Sequence, residues 1–269
     1  MTGSGNDFVM IDGRNSSPEE WAVADIQAVC ARGTGIGADG VVFVGAGATP
    51  EAVRVIYFNS DGTRATCGNA ALCSTRLAAH LGLANPLAMR LETDTGIYES
   101  RCQREDGRAE LRFGSVDAPR ALPDSILAAG ERRAAFTVVG VPHLIVLVDD
   151  VDSINVTHRG RLLRHDPALG PQGANINFVS AGATPSEWRL RTYERGVEGE
   201  TLACGTGAAA AACVLDHWNL GALPLTIRTR SGRALDVRGQ RVAGEAGGKG
   251  YDDVWLVGEA RLVFRGVII

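Results

Sequence analysis

The sequence is short of lysine. Lys249 is the only one among 269 residues, and every other basic residue is Arg. A pyridoxal-phosphate enzyme needs a Schiff-base lysine in a shaped pocket, and a lone lysine in the glycine-rich loop GEAGGKGYDD does not supply one. Long apolar runs are also missing. No stretch approaches the roughly 18 residues that span a bilayer, and the opening MTGSGNDFVMID lacks the charged and apolar regions of a secretory signal. A cytoplasmic protein with no membrane partner is expected. There is no basic excess: the net charge is −4, so nucleic acid is not an expected partner. No C-x-x-C pair occurs, and none of the five histidines clusters with a cysteine, which argues against a structural zinc site and any other metal. With no secretion signal, the six cysteines are expected to be reduced thiols.

What remains is an ordinary globular composition, 45% hydrophobic and 22% charged, in a chain long enough for two domains of about 130 residues. The chain also resembles itself. TCGNAALCSTRLAAHLGL (66–83) and ACGTGAAAAACVLDHWNL (203–220) share one plan: a small residue, Cys-Gly, then an Ala-rich helical run ending near a glycine. LETDTG (91–96) answers TIRTRSG (226–232), and GNDFVMID (5–12) answers GVPHLIVLVD (140–149). Three features recurring in order, offset by about 135 residues, point to a duplicated unit.

Within each half, β-branched and alternating segments read as strands: 41–44, 53–58, 88–93 and 109–114, then 143–149, 175–180, 188–194, 225–229, 234–239, 254–260 and 261–268. Helices are expected over 68–81, 206–218 and 18–31, the last with Pro18 in its first turn. Many strands around few helices predict an α+β fold of two pseudo-symmetric domains, each a curved, mostly antiparallel sheet around a central helix. The expected halves are 1–118, carrying Cys67, and 119–260, carrying Cys204, with a Pro-rich linker in DAPRALPDS (117–125). The last strand, about 261–269, is expected to pack back on the first half.

GTGIGADG (33–40) contains a literal G-x-G-x-x-G, but a strand follows it where a dinucleotide fingerprint needs a helix. It reads as a loop shaped by glycine. The two Cys-Gly helix starts carry more chemistry. A helix N-terminus offers unpaired N–H groups and about half a positive charge, which lowers a thiol pKa and binds a carboxylate. The dipole, worth about 0.3–1 kcal/mol and at most ~2, moves a thiol from about 8.5 to roughly 7–8. His143 or Arg195 is expected to supply any further shift. Two such thiols, one from each half, can act as an acid/base pair, one removing a proton from a substrate carbon and the other delivering one to the opposite face; the alternative is that both are buried cysteines packing at helix starts. A cysteine-phosphatase loop is excluded, because position 73 is Cys and position 210 is Ala where that class needs Arg. Glu194-Arg195, just before the Cys204 loop, pairs an acid and a base suited to an amino group and a carboxylate. Asn6, Asn59, Asn69, Asn175 and Asn177 fall at strand ends or turns, where Asn is common for backbone reasons.

Taken together, GSGNDFVMID (3–12), GTGIGADG (33–40), NSDGTRATCGN (59–69), Pro142-His143, NINFV (175–179) and YERGVEGETLACGTG (193–207) resemble the diaminopimelate epimerase family. The resemblance runs from residue 3 to about 220. It implies two pseudo-symmetric domains closing over an amino acid, and cofactor-independent two-base epimerisation of LL-diaminopimelate to the meso form, a step toward lysine and peptidoglycan. A homodimer is expected on the same ground. The resemblance makes Cys67 and Cys204 the acid/base pair, with Gly68, Asn69, Gly205 and Thr206 clamping the reacting carboxylate. Asn6 and Glu194 are implied near the reacting amino group, His143 beside the thiols, and Asn59, Asn175 and Arg195 at the distal end of the substrate. The chain departs from the family pattern at Val141, where Asn is usual, and at Ala70-Ala71-Leu72 after the first Cys-Gly-Asn. It also opens directly on the first motif, so a leading strand is expected to be absent. The alternatives are a racemase of another α-amino acid and a non-catalytic amino-acid-binding paralogue.

Overall fold

A computed structural model describes residues 1–103, 106–243 and 249–268. The chain divides into two compact units, Met1–Arg112 with Val257–Ile269, and Phe113–Leu256.

The first unit runs β1 (Thr2–Gly3), β2 (Asn6–Asp12), α1 (Val23–Cys30), β3 (Gly40–Ala46), β4 (Ala52–Asn59), β5 (Arg64–Ala65), α2 (Gly68–Leu81), β6 (Met89–Thr93), β7 (Gly96–Arg101) and the start of β8 (Arg108–Val116). β2 lies parallel to β3, β3 antiparallel to β4, β4 parallel to β6, and β6 antiparallel to β7. α2 is buried from Asn69 to Thr75 and again at Leu77–Ala79. It packs against β1, β2, β3, β4, β6 and β7, so the sheet curls around it. Its small residues allow that approach. Gly82, left-handed at φ 68°, ends the helix by donating its N–H to the Ala78 and Ala79 carbonyls. On the other face of the sheet, Ile26 and Cys30 of α1 pack with Ala38, Val41, Phe43 and Ile56.

The second unit continues with β9 (Arg120–Ala121), β10 (Glu131–Val139), β11 (Val141–Val148), α3 (Val156–Arg164), β12 (Asn175–Ala181), β13 (Glu187–Glu194), β14 (Gly199–Thr201), α4 (Gly205–His217), β15 (Leu225–Arg228), β16 (Ala234–Ala243) and β17 (Lys249–Glu259). Here β11 is parallel to β12, β12 antiparallel to β13, β13 parallel to β15, and β15 antiparallel to β16. This is the alternation of the first unit, strand for strand, with α3 standing where α1 stands and α4 where α2 stands. α4 packs against β10, β11, β12, β13, β15 and β16. α3 covers the opposite face, with Val156 and Leu163 packing beside Leu144, Phe178 and Tyr193.

Antiparallel pairings predominate, as expected; the parallel ones, β2–β3, β4–β6, β11–β12 and β13–β15, are those joined by a crossover through a helix, which returns the chain in the same direction. The expected helix 18–31 is a capped 3-10 turn, Pro18–Glu20, followed by α1; the extended backbone of Trp21 separates them. α3 escaped the sequence reading. Its centre is Gly160, a poor helix former, placed where a Cβ would lie 2.4 Å from Cβ of Tyr193. Residues 117–125 do not form an open linker: β9 pairs with β10, and Asp124–Ile126 makes a 3-10 turn. Residues 261–268 do not form the expected strand. They carry one antiparallel bridge, Arg261 with Thr2, and irregular chain beyond it, and Ile269 lies outside the described residues. Most of the Gly-rich loop before Lys249, residues 244–248, also lies outside them. Among the described residues no helix is long and apolar enough to cross a membrane.

Candidate functional site

Both Cys-Gly cysteines are helix N-caps with extended backbones, Cys67 at φ −135°, ψ 125° and Cys204 at φ −127°, ψ 111°. Cysteine is not a favoured N-cap residue, since Ser, Thr, Asp and Asn cap better. Its use at both equivalent positions sets a sulfur beside unsatisfied first-turn N–H groups. None of the six cysteines is in a disulfide. Burial pushes the thiols of Cys73 and Cys213, deeper in the same helices, up to about 12, so they remain protonated core groups.

In the second unit the Cys204 sulfur accepts from the Gly207 N–H at 3.4 Å and lies 3.5 Å from Thr206 Oγ1. Glu194 also touches it. The half-buried Glu194 carboxylate accepts from the Thr201 hydroxyl and from the Cys204 thiol, and burial raises its pKa above the usual carboxylate range despite both bonds. An acid raised toward the thiol range exchanges a proton with that thiol at lower cost. Sequence reasoning set Glu194 near the substrate amino group; here its partner is the sulfur.

His143 is fully buried, paired in register with Asn175 across the parallel β11–β12 ladder. Burial, and secondarily the Arg195 guanidinium, lower its pKa to about 3. It is therefore neutral at physiological pH and adds no positive charge beside a thiol, contrary to that part of the sequence reading. The Asn175 side chain accepts from the Arg195 backbone N–H at 2.7 Å, holding these two expected distal-end residues together. The turn before β11 reaches α4 as well: a Cβ on Gly140 would lie 3.6 Å from Thr206 Cγ2. Val141, the departure from the family pattern, opens β11 beside that turn.

In the first unit, Cys67 is half-buried and makes no capping bond through its side chain. Asn69, one residue past Gly68, donates from Nδ2 to Asn6 Oδ1 at 2.7 Å. Asn6 in turn donates from Nδ2 to Asp39 Oδ2 at 2.9 Å. Asp39 also receives Arg32 at 2.9 Å, and its carbonyl accepts from the Ser60 N–H at 3.1 Å. That links it to the turn where Asn59 donates to Thr63 Oγ1 at 3.1 Å. Cys67, Gly68, Asn69, Asn6 and Asn59 thus belong to one neighbourhood organised by Asp39. In the second unit Cys204, Gly205, Thr206, Glu194, Arg195, Asn175 and His143 form another.

Two residues absent from the expected set emerge as organisers. Asp39 lies in the GTGIGADG loop, whose glycines fold the chain so that this carboxylate reaches Asn6; the visible signal was the loop itself. Asn177 is fully buried and bonded to His143, and its only signal was the second Asn of NINF. A cavity of the second unit, lined by Arg164, His165, Pro167, Gly170, Pro171 and Gly173, contains none of the expected residues. Arg164 there is engaged by Glu198 and the Gln172 carbonyl. Among the described residues no group of three or more His, Cys, Asp or Glu side chains is arranged to hold a metal ion.

The diaminopimelate epimerase family profile matches residues 1–118 and 136–243. The chain is 45% identical to the diaminopimelate epimerase of Gemmatimonas aurantiaca, over 100% of this chain and 97% of that one. It is 38% identical to the diaminopimelate epimerase of Methanocella arvoryzae, over 87% and 86% of the two chains. Among solved structures, a hydroxyproline epimerase from Agrobacterium vitis with bound trans-4-hydroxy-L-proline superposes with a TM-score of 0.62 at 17% identity, covering 96% of this chain and 87% of that one. A phenazine biosynthesis PhzF-family protein from Bacillus anthracis gives a TM-score of 0.64 at 15% identity, covering 96% and 91%. At these identities the structural likeness is one of fold.

Proposed function

This chain belongs to the diaminopimelate epimerase family and is an isomerase, and from that premise we propose how it converts LL-diaminopimelate to the meso form. Cys67 and Cys204 are the two bases. A Cys204 thiolate, formed by giving its proton to Glu194 and stabilised by the Gly207 N–H, removes the α-proton. The C–H bond breaks as an S–H bond forms, and Cys67 then delivers its own proton to the opposite face of the carbon. In the reverse direction the two thiols exchange roles. The first-turn amides at Gly68, Asn69, Gly205 and Thr206 hold the reacting carboxylate, where negative charge accumulates as the proton leaves. Asn6 holds the reacting amino group, while Asn59, Asn175 and Arg195 hold the distal end of the substrate. Proton transfer between side chains needs no cofactor.

One observation carries this reading: cysteine occupies the same N-cap, with the same backbone conformation, at equivalent points of two topologically equivalent units. Turnover of LL-diaminopimelate in deuterated water tests it. Meso product carrying deuterium at the inverted α-carbon is the expected result, and product without deuterium refutes abstraction by an exchangeable base.

A second reading keeps the chemistry and changes the substrate to another α-amino acid. Val141 favours it, because an apolar side chain replaces an amide that could read a polar substrate end. An α-proton exchange screen across the common amino acids separates the two. We also propose a cytoplasmic homodimer. The exposed apolar run Leu262, Val263, Phe264, Val267 and Ile268 supports self-association, and sedimentation equilibrium tests it.

A further inference from the structure

Asn177 is fully buried, the third residue of β12, and every polar atom of its side chain is engaged. Its Nδ2 lies 3.2 Å from the Leu144 carbonyl, 3.2 Å from the Asn175 carbonyl and 3.1 Å from His143 Nδ1. Its Oδ1 accepts from the Thr192 hydroxyl at 3.0 Å. These partners fix which way the amide points. Two carbonyl oxygens can only accept, so the group facing them is the NH2 and cannot be the oxygen. The atom of His143 beside that NH2 must then be an acceptor as well. His143 is neutral in its buried position, and a neutral imidazole carries one proton. With Nδ1 holding a lone pair, the proton sits on Nε2. That nitrogen is itself buried and has no hydrogen-bond partner among the described residues.

We propose that Asn177 is a positioning residue for the isomerase reaction: it fixes His143 as the Nε2–H tautomer, so that the imidazole offers a donor to the reacting groups. A buried donor with no protein acceptor is costly unless something bound supplies one. An anionic atom arriving with the substrate, or formed during proton transfer, does so. The setting reinforces the assignment. Asn177 Oδ1 lies where a Cβ on Gly207 would be 2.4 Å away, so the amide is packed under the first turn of α4, beside Cys204. The tautomer stands on hydrogen bonds alone; its consequence for turnover rests on the isomerase reading.

The test is nitrogen-15 NMR of the histidine rings in the reduced, full-length protein, with the His143 signals assigned by their loss in His143→Gln. The expected wild-type pattern is a protonated Nε2 and a bare Nδ1. A protonated Nδ1 overturns the proposal without any variant. In Asn177→Asp a carboxylate faces Nδ1 in place of an N–H, so a proton is expected there, with kcat down about 100-fold and KM within about threefold. An unchanged ring pattern in that variant overturns Asn177 as the residue that sets the tautomer. A changed pattern with kcat intact overturns its role in turnover. A wild-type protein with the Nε2–H pattern but no epimerisation of diaminopimelate refutes diaminopimelate as the substrate and leaves the tautomer assignment standing.

Discussion

A Cβ on Gly207 would lie 2.4 Å from Oδ1 of Asn177, closer than nonbonded atoms approach. α4 and β12 meet there through an absent side chain. Gly207→Ala is therefore expected to destabilise the protein by about 1–3 kcal/mol and to displace the first turn that holds Cys204. Gly266→Ala, at a site with nothing within 4 Å, is expected to change stability by less than about 0.5 kcal/mol. Urea melts of the two variants beside wild type check the contrast.

Serine keeps the shape of cysteine but is a far weaker acid. Cys67→Ser and Cys204→Ser are each expected to lower kcat by about 10²–10⁴-fold, the usual worth of positioned proton transfer. Cys73→Ser and Cys213→Ser, which alter buried thiols held protonated by their surroundings, are expected to affect stability more than kcat. A circular dichroism assay of epimerisation, run with reductant present, separates the two classes.

His143 produces a pH dependence of stability. Its folded pKa of about 3 lies below the ordinary 6.5, so between these values the unfolded chain binds a proton that the folded chain does not. Stability is then fully present above about pH 6.5 and falls on acidification, by about 1.4 kcal/mol per pH unit for one proton, until pH nears 3. Carboxylates titrate in the same window, so the measurement is a difference. The slope of unfolding free energy between pH 6.5 and 4.5 should be shallower in His143→Gln than in wild type.

Asp39 and Arg32 share an ion pair but not a role. Arg32 is well exposed, and Arg32→Gln is expected to cost less than about 1 kcal/mol. Asp39→Ala removes the acceptor that orients Asn6, and with it the support for the Asn6 oxygen that receives Asn69, at an expected cost of about 1–3 kcal/mol. It should also raise KM, because Asn6 and the Asn69 amide face the substrate in the proposed reading. Thermal melts and steady-state kinetics of the two variants give both comparisons.

The duplication was legible because its landmarks are chemically unusual: Cys-Gly at the start of an Ala-rich helix is rare enough that two copies stand out. α2 was read at its observed bounds, since small residues, periodicity and Gly82 agree. α3 was hidden because its central glycine answers to Tyr193, a residue 33 positions away that no local pattern includes. The organisers were hidden for a related reason. An Asp in a glycine loop and an Asn in a strand look ordinary until their partners are known. The pairing of parallel strands brings Asp39 to Asn6 and Asn177 to His143, across distances in sequence that no local pattern spans. The thiols and Glu194 could all be nominated from sequence, but not the contact that makes this carboxylate the partner of the Cys204 sulfur.

The helix behind Cys204 is almost bare of side-chain bulk: Ala208 to Ala212 are all fully enclosed, with strands of the sheet on several sides. Such a rod leaves no rotamers to adjust, so any added methylene must be accommodated by moving the rod. Enlarging one of these alanines would act on the enzyme chiefly as a translation of sulfur relative to its carboxylate. Steric size along this segment, more than polarity, should set which sequences keep the two atoms in register.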